Sequence, residues 1–314
     1  EKPGLCGSKQ YIYVWSVLEL VRKLRLLVQI VFTAVTNGYV FGFLTGKIYT
    51  GPLKTMCVPG LNCYSCPGAL GSCPIGALQA GLTGGSKFSF YVAGFLLLFG
   101  SVLGRFVCGW LCPFGLVQDL LYKIPVPGKR KNLPAHRILT WLKYVILVVF
   151  VLLLPMFALG EFGQSKPWFC QYICPAGTLM AGLPLTAASE ALREAAGALF
   201  GWKLGLLIFL VFLAVWIYRP FCKYICPLGA VYSFFNSIAC YRYQVEDTCI
   251  GCGRCQEACG MDIRVWEQPN SPECIRCGEC IRACPVHALR RERPENIFRK
   301  RRGKDESSTC GPKL

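Results

Sequence analysis

The amino-acid sequence predicts a mostly α-helical membrane bundle built from a tandem repeat, followed by a small cysteine-rich α+β domain. Hydrophobic residues make up 54% of the 314 residues and charged residues only 16%, compared with about 25% in ordinary soluble domains. The apolar residues gather in four stretches, and a Cys-Pro motif recurs four times along the apolar part. The 21 cysteines do not indicate a disulfide-stapled scaffold, because such scaffolds are short.

Four apolar stretches have roughly the 17–25 residues that a transmembrane helix needs. They comprise residues 26–44, 88–104, 138–159 and 204–218, the last extended by residues 200–203. Lys143 alone interrupts the third stretch, and we expect its ammonium group to reach the membrane interface from the span end. The sequence therefore predicts about four transmembrane helices, with short helices after the cysteine motifs.

The basic residues predict the orientation of these helices. Lys and Arg number five in residues 1–25, three in 45–87, six in 105–137, three in 160–203 and sixteen from 219 onward. Because loops rich in Lys and Arg stay in the cytoplasm, both termini are predicted to be cytoplasmic. The formal net charge of +17 then reflects orientation and contact with anionic membrane lipid, and no nucleic-acid partner is expected.

The strongest motif lies in the C-terminal part of the chain. Two cysteine runs follow one another there: Cys249-x2-Cys252-x2-Cys255-x3-Cys259 and Cys274-x2-Cys277-x2-Cys280-x3-Cys284-Pro285. This is the spacing of bacterial ferredoxins with two [4Fe–4S] clusters, in which the fourth cysteine of each run binds the other cluster. The sequence thus predicts one cluster on Cys249, Cys252, Cys255 and Cys284. It predicts the second on Cys274, Cys277, Cys280 and Cys259.

One position departs from the usual ferredoxin run. Gly260 stands where a proline usually follows the fourth cysteine, but that proline shapes the turn and binds no metal, so both clusters are expected. Zinc is the alternative for these cysteines, because paired C-x2-C motifs also bind zinc.

A second cysteine pattern repeats within the apolar part. Residues 108–115 and 222–229 share the pattern Cys-x3-Cys-Pro-x-Gly, and residues 170–177 are a third copy. An altered copy spans residues 57–76 and ends in Cys73-Pro-Ile-Gly. The predicted topology places 108–115 and 222–229 near the cytoplasmic face and the other two copies near the outer face. Each half of a tandem repeat then contributes one outer and one inner motif.

The Cys-Pro step has a direct physical meaning. Proline at the first helical position costs no hydrogen bond, so the preceding cysteine lies at a helix N-terminus, where the dipole favours a thiolate or an anionic cluster. Two thiolates do not complete a four-cysteine site, so motifs from the two repeats must combine. We expect one cluster on Cys108, Cys112, Cys222 and Cys226. The alternative for these four is a set of buried, unliganded thiols.

The outer motifs offer six thiols for four positions. The expected ligands of an outer cluster are Cys66, Cys73, Cys170 and Cys174, with Cys63 or Cys57 as possible substitutes. The alternatives here are disulfide bonds in an oxidising compartment and Cu(I), which soft thiolates bind. Together with the C-terminal pair, the sequence predicts up to four clusters in a row from the cytoplasm to the outer face.

The motifs also predict the order of the domains. A cytoplasmic N-terminal segment (1–25) precedes membrane repeat 1 (26–137), membrane repeat 2 (138–240), the two-cluster ferredoxin domain (241–290) and a basic cytoplasmic tail (291–314). Three cysteines match no motif and are expected to be ordinary thiols: Cys6, Cys240 and Cys310.

The Cys-x3-Cys-Pro copies and the C-terminal double ferredoxin run resemble the membrane polyferredoxins of the NapH/NosR type over about residues 20–290. The resemblance implies a multi-pass electron-transfer protein of the bacterial cytoplasmic membrane, with its ferredoxin domain in the cytoplasm and a reductase partner outside. The outer cysteine sets are additional to the NapH pattern. The flavin domain of NosR has no counterpart in the sequence, so flavin would enter only through a separate flavoprotein partner.

The predicted function is the transfer of single electrons between a cytoplasmic donor or acceptor and an extracytoplasmic or membrane-bound partner. The chain is expected to be an electron-transfer subunit of an oxidoreductase complex, without catalytic residues of its own. A quinol-linked oxidoreductase subunit and an outer-face copper reductase or metal-handling protein are the alternatives. Quinone chemistry would draw on Asp119 or Glu161, both of which are expected to be solvated. No haem is expected, because His136 and His287 are the only histidines and no C-x-x-C-H site is present.

Overall fold

The computed structural model of the chain describes residues 8–83, 90–158 and 166–291. The described residues are mostly helical, with 60% helix and 4% strand, as the sequence predicts. Its C-terminal part is a small domain of the ferredoxin type, which packs against the helical part.

In the first half of the described chain, a long helix is followed by short helices around the cysteine motifs. The helices are α1 Ser8–Thr36, α2 Val40–Thr45, α3 Pro74–Thr83, α4 Phe90–Leu103, α5 Phe106–Trp110 and α6 Pro113–Lys123, with a 3-10 turn at Pro52–Thr55.

In the second half, two long apolar helices flank a set of short ones. Helix α7, His136–Ile146, continues through a π-helical segment, Leu147–Leu153, into α8, Leu154–Phe157. Next come a π segment Phe169–Ile173, α9 Pro175–Gly177, a π segment Thr178–Gly182, α10 Leu183–Ala188, α11 Glu190–Glu194, α12 Ala198–Trp216, α13 Pro220–Tyr224 and α14 Pro227–Phe235.

The C-terminal domain consists of β1 Tyr243–Val245, α15 Arg254–Ala258, α16 Glu279–Ala283 and β2 Leu289–Arg291. The two strands pair antiparallel, with Tyr243 opposite Arg291 and Val245 opposite Leu289. Each helix begins within one cysteine run, so that the sheet and the two helices enclose both runs in one α+β unit.

Two helical segments of the described chain are long and apolar enough to cross a membrane, His136–Phe157 and Ala198–Trp216. They correspond to the third and fourth predicted spans. The expected four-span bundle is not confirmed. The first predicted span is divided between α1 and α2, and the second corresponds to α4, a shorter apolar helix. Helix α4 has 14 residues and extends about 21 Å at 1.5 Å per residue, less than the roughly 30 Å of a bilayer core.

The first predicted span is interrupted, since residues 37–39 separate α1 from α2. Backbone hydrogen bonds to the outer motif hold the break open. The N–H of Tyr39 donates to the carbonyl of Gly68 (3.1 Å), and the N–H of Leu70 donates to the carbonyl of Thr36 (2.9 Å). The outer motif therefore occupies the place where a continuous helix would pass.

The Cys-Pro step of each Cys-Pro-x-Gly motif begins a helix, as predicted. Pro113, Pro175 and Pro227 are the first residues of α6, α9 and α14, and each preceding cysteine is the extended N-cap residue. Pro74 opens α3 in the same way. The cysteine before each of these prolines thus lies at a helix N-terminus, where free N–H groups face it.

The C-terminal domain is joined to the helical part by buried ion pairs and by one very close backbone contact. Arg105 pairs with Glu273 (2.8 Å), and Arg25 pairs with Glu279 (3.5 Å). A Cβ atom at Gly109 in α5 would lie 2.3 Å from the carbonyl oxygen of Ile275, in the second cysteine run. Only a glycine lets the two backbones approach this closely.

We expect Gly109→Ala to destabilise the folded chain by about 1–3 kcal/mol, because the added methyl group forces the two backbones apart. Gly94→Ala in α4 is the matched control, since a Cβ atom there meets nothing within 4 Å. Thermal unfolding of the purified proteins in detergent should show a lower midpoint for Gly109→Ala than for Gly94→Ala. Equal midpoints would contradict the close contact.

Candidate metal centres

Two small cavities in the C-terminal domain are lined by the two predicted ligand sets. Cys259, Cys274, Cys277 and Cys280 line the first, together with Tyr218 from the helical part. Cys249, Cys252, Cys255 and Cys284 line the second, with residues of the C-terminal domain alone. Each cavity has a volume of about 20 Å³. The structure therefore brings together the same four cysteines per site as the crossed ferredoxin pattern.

The cysteines surround these cavities and do not converge on a single point. Within the described ranges, no group of three or more His, Cys, Asp or Glu side chains could hold a single metal ion. Four thiols spread around a cavity are the donor set of an iron–sulfur cube, whose irons each take one cysteine.

The structure gives a physical reason for Gly260, which replaces the usual proline. A Cβ atom at this position would lie 2.6 Å from Cε1 of Tyr218, so a proline ring would collide with the tyrosine. The hydroxyl of Tyr218 in turn accepts a hydrogen bond from Arg25 Nη2 (3.4 Å). The glycine therefore allows the first cavity to pack directly against the helical part.

The four cysteines of the inner motifs come together and are named the inner quartet: Cys108, Cys112, Cys222 and Cys226. All four are between 5% and 7% exposed and lie close enough for their charges to interact. Gly60 packs against Cys112, since a Cβ atom at Gly60 would lie 3.1 Å from the Cα atom of Cys112. Burial raises the pKa of all four thiols, to about 11 for Cys222.

Crossed arginines tie the two inner motifs to each other. Arg105 and Arg219 each stand three residues before the first cysteine of their own motif, and both are fully buried. Arg219 Nη1 donates to the carbonyl of Cys108 (2.6 Å), and Arg105 Nη2 donates to the carbonyl of Cys222 (3.2 Å). These reciprocal contacts are what a tandem repeat with two equivalent halves produces.

The expectation that Asp119 is solvated is wrong. Asp119 is 6% exposed, and its carboxylate accepts hydrogen bonds from Arg219 Nε (2.7 Å) and Arg25 Nη2 (2.9 Å). Burial opposes ionisation of the carboxyl, but Arg219 and Arg25 outweigh it and hold the pKa of Asp119 below its ordinary value. Its partners come from distant parts of the chain, so the sequence around Asp119 gives no sign of this burial.

The expectation that Lys143 reaches the membrane interface is also wrong. Lys143 is fully buried and forms an ion pair with Glu273 of the C-terminal domain. Glu273 also accepts from Arg105 Nη1 (2.8 Å). Burial opposes ionisation of Glu273 too, but the two cations hold its pKa below the ordinary value.

A much larger cavity, of about 970 Å³, contains the outer cysteines. Five of them line it, and four of these are named the outer quartet: Cys63, Cys73, Cys170 and Cys174. These four lie within range of one another's charge. Cys57 also lines the cavity. Burial raises the pKa of Cys73 to about 12 and that of Cys174 to about 11.

The outer quartet differs from the predicted set in one position, since Cys63 takes the place of Cys66. Cys66 does not line the cavity, and its Sγ lies 3.7 Å from Oδ1 of Asn37 at the break between α1 and α2. A tight turn, in which Cys66 N–H donates to the carbonyl of Cys63 (3.1 Å), separates the two thiols. Spacing alone does not resolve this turn, because both cysteines precede Cys73-Pro.

Two lysines accompany the outer quartet. Lys54 is 4% exposed, and its Nζ donates to the carbonyl of Ala69 (2.8 Å). Lys203 is half-buried, and its Nζ donates to the carbonyl of Cys170 (3.2 Å). Both line the cavity, and in the described part of the chain neither is paired with a carboxylate.

Sequence reasoning missed two glutamines that contact the quartets. Gln79 Nε2 lies 3.4 Å from Cys170 Sγ, and Gln118 Nε2 lies 3.1 Å from Cys222 Sγ. Both glutamines stand six residues after the Cys of a Cys-Pro step. The shared pattern Cys-Pro-x-Gly-x-x-Gln in residues 73–79 and 112–118 is the signal that could have identified them.

The remaining candidates have ordinary surroundings or lie outside the described residues. Cys240 is exposed, and His287 is an exposed turn residue. His136 Nδ1 lies 3.1 Å from the hydroxyl of Tyr224. Three positions fall outside the described ranges: Cys6, Glu161 and Cys310.

Comparison with known families agrees with the repeat. A 4Fe-4S binding domain family matches residues 87–134, 141–183 and 198–239, and each of these segments contains one Cys-x3-Cys-Pro copy. A second 4Fe-4S binding domain family matches residues 269–290, which contain the second cysteine run. No solved structure matches the chain.

Three relatives illustrate the sequence similarity. An uncharacterised protein of Methanocaldococcus jannaschii is 32% identical over 180 residues, which are 55% of this chain and 65% of the relative. The methylamine utilization ferredoxin-type protein MauN of Methylorubrum extorquens is 28% identical over 195 residues, 59% of each chain. The regulatory protein NosR of Pseudomonas aeruginosa is 28% identical over 183 residues, 56% of this chain and 22% of NosR.

The chain thus spans less than two thirds of the length of these relatives. The matched segments cover all three regular Cys-x3-Cys-Pro copies and one complete ferredoxin run. They confirm the resemblance to polyferredoxins of the NapH/NosR type: the chain contains segments of the 4Fe-4S binding type and is similar in sequence to the ferredoxin-type protein MauN and to NosR.

Proposed function

We propose that the chain is an integral membrane protein that carries single electrons between a cytoplasmic partner and the outer face of the membrane. Four [4Fe–4S] clusters serve this function, each bound by four cysteines. The C-terminal domain binds two, on the sets that line its two cavities. The inner quartet and the outer quartet bind one each. When bound, the clusters supply the one-electron chemistry, and the protein fixes their positions and surroundings.

The observation that carries the proposal is surplus positive charge beside each quartet, buried at the inner quartet and half-buried or buried at the outer one. Arg105, Lys143 and Arg219 lie within range of the charge of the inner quartet. Arg25, which lies near Cys277 of the first cavity, joins them through Asp119. The four buried cations of this network face two carboxylates, Asp119 and Glu273. Glu279 also contacts Arg25, but it has Arg22 as a partner of its own. Beside the outer quartet, Lys54 and Lys203 provide two more cations. Each quartet thus has a surplus of about two positive charges.

A buried charge without a counter-ion costs several kcal/mol, so each quartet needs an anion. A [4Fe–4S] cube with four thiolates carries about −2, which balances the surplus at each site. Disulfides and unliganded thiols do not supply this charge. A disulfide is neutral, and a buried thiol such as that of Cys73, whose pKa burial raises to about 12, is protonated at neutral pH. The cluster is therefore the occupant that the electrostatics favour.

Direct contacts from the first cavity to the inner quartet, and from the inner quartet to the outer quartet, support a continuous electron path. Ile275, between two cysteines of the first cavity, touches Gly109 next to Cys108 of the inner quartet. From the inner quartet, Cys112 packs closely against Gly60, three residues before Cys63 of the outer quartet. We place the second cavity of the C-terminal domain at the cytoplasmic end of the path, because Cys252 there is exposed to solvent.

Exposed apolar surface supports membrane integration. Phe90 in α4 is 80% exposed, Trp141 in α7 is 70% exposed and Phe209 in α12 is 58% exposed. Surface of this kind is unusual in a soluble protein and is accounted for by lipid around the two long apolar helices. The distribution of Lys and Arg then places the C-terminal domain in the cytoplasm.

The partners follow from this orientation and from the resemblance. A cytoplasmic donor or acceptor would exchange electrons with the ferredoxin domain, and a flavoprotein or a reductase would do so at the outer face. The chain then acts as the electron-transfer subunit of an oxidoreductase complex.

Iron and acid-labile sulfide analysis tests the number of clusters. We expect about sixteen irons per chain, since four cubes hold four irons each. Cys226→Ser and Cys174→Ser should each lower the content to about twelve, because each removes one ligand of a single quartet. Cys240→Ser, which changes an exposed thiol outside every set, should leave it at sixteen. About eight irons in the unaltered chain would mean that neither quartet binds a cluster.

A matched pair of variants tests the composition of the outer quartet. Cys63→Ser should lose about four irons, because Cys63 lines the cavity with the other three cysteines. Cys66→Ser should keep them, since Cys66 lies outside this cavity. The reverse result would restore Cys66 as the ligand and exclude Cys63.

A further inference from the structure

The two glutamines beside the quartets make the same pair of contacts at two different places. Gln79 Oε1 accepts the N–H of Phe169 (3.1 Å), while its Nε2 faces Cys170 Sγ. Gln118 Oε1 accepts the N–H of Phe221 (3.2 Å), while its Nε2 faces Cys222 Sγ. In each case the glutamine of repeat 1 contacts the first cysteine of a motif in repeat 2 and the residue before it.

The backbone contact fixes which end of each amide faces the sulfur. A backbone N–H can only donate, so the amide oxygen must be the atom that faces Phe169 or Phe221. The NH2 group is then the atom that faces the cysteine, and it can only donate. Each sulfur therefore receives an N–H hydrogen bond whose direction is set by the fold.

The burial of the two side chains makes these contacts selective. Gln79 is fully buried and Gln118 is 2% exposed, so bulk water does not compete with the amide for the sulfur. The equivalent positions of repeat 2 are Met180 and Tyr232, neither of which offers an amide. Each quartet thus has one such glutamine, and it comes from repeat 1.

We propose that Gln79 and Gln118 are positioning residues that also set the reduction potentials of the outer and the inner cluster independently. Each one holds a repeat-2 motif in register with its repeat-1 partner through the backbone contact. Each one also donates a hydrogen bond to a cluster-binding sulfur. This inference rests on the proposed function, because it requires a cluster at each quartet.

The physical basis is the charge change on reduction. A reduced cluster carries one more negative charge than the oxidised cluster, spread partly over its sulfur ligands. An N–H group that donates to such a sulfur stabilises the reduced form more, and this raises the reduction potential. Removing the amide should therefore lower the potential of the cluster that it contacts, and of no other cluster.

The test is an EPR-monitored redox titration of the full chain in detergent, with Gln79→Met and Gln118→Met as matched variants. Methionine keeps the approximate volume of glutamine and removes the donor. Gln118→Met should shift one membrane cluster to a lower midpoint potential, and Gln79→Met should shift the other. Unchanged potentials in both variants, or the same cluster shifted by both, would overturn the inference.

Iron analysis of the same samples separates this inference from the proposed function. If the unaltered chain binds about sixteen irons and the potentials do not move, the inference fails and the proposed function stands. If the unaltered chain binds only about eight irons, neither quartet holds a cluster, and the proposed function fails together with this inference. Loss of about four irons from one variant, with the other three clusters intact, would support the positioning role.

A measurement on the unaltered chain covers the case in which a variant does not fold. Glutamine labelled with 15N in its side chain should give a hyperfine coupling to both reduced membrane clusters in pulsed EPR. A membrane cluster without such a coupling would contradict the hydrogen bond at that quartet.

Discussion

The attraction between buried cations and the groups that balance their charge, carboxylates and in our proposal cysteine-bound clusters, is the interaction on which the rest of the structure depends. Arg105 and Arg219 are fully buried, a position that guanidinium groups occupy only when anions surround them. Asp119 and Glu273 supply part of the negative charge, and the cysteine clusters supply the rest in our proposal. Because each arginine also crosses to the carbonyl of the opposite motif, the same cations align the two repeats.

The cations also explain why the C-terminal domain is fixed to the helical part. Glu273 belongs to that domain and pairs with Arg105 and Lys143 of the helical part. Moving the domain away would separate both cations from this carboxylate, and breaking buried ion pairs in this way costs several kcal/mol. The contact of Gly109 with Ile275 then keeps neighbouring cysteine sites in direct backbone contact. Charge balance and electron transfer thus require the same rigid arrangement.

Local spacing predicted those parts of the site that depend on neighbours in the chain. The two ferredoxin sets and the inner quartet follow from repeated cysteine spacing, and the helix starts follow from proline. What depends on tertiary contacts was not predictable. The burial of Asp119 and Lys143 depends on partners far away in the chain. The position of Cys63, and not Cys66, at the outer cavity depends on a single turn. The break at residues 37–39 likewise depends on hydrogen bonds to the outer motif.

In our proposal, the surplus positive charge at the inner and outer quartets is balanced by two clusters in addition to the ferredoxin pair. An electron cryo-microscopy map of the intact chain, purified without oxygen in a lipid nanodisc, tests it most directly. We predict cube-shaped density bonded to all four cysteine sets, including Cys108, Cys112, Cys222 and Cys226. Density at the two ferredoxin sets alone, with disulfides or separate thiols at both quartets, would contradict the account.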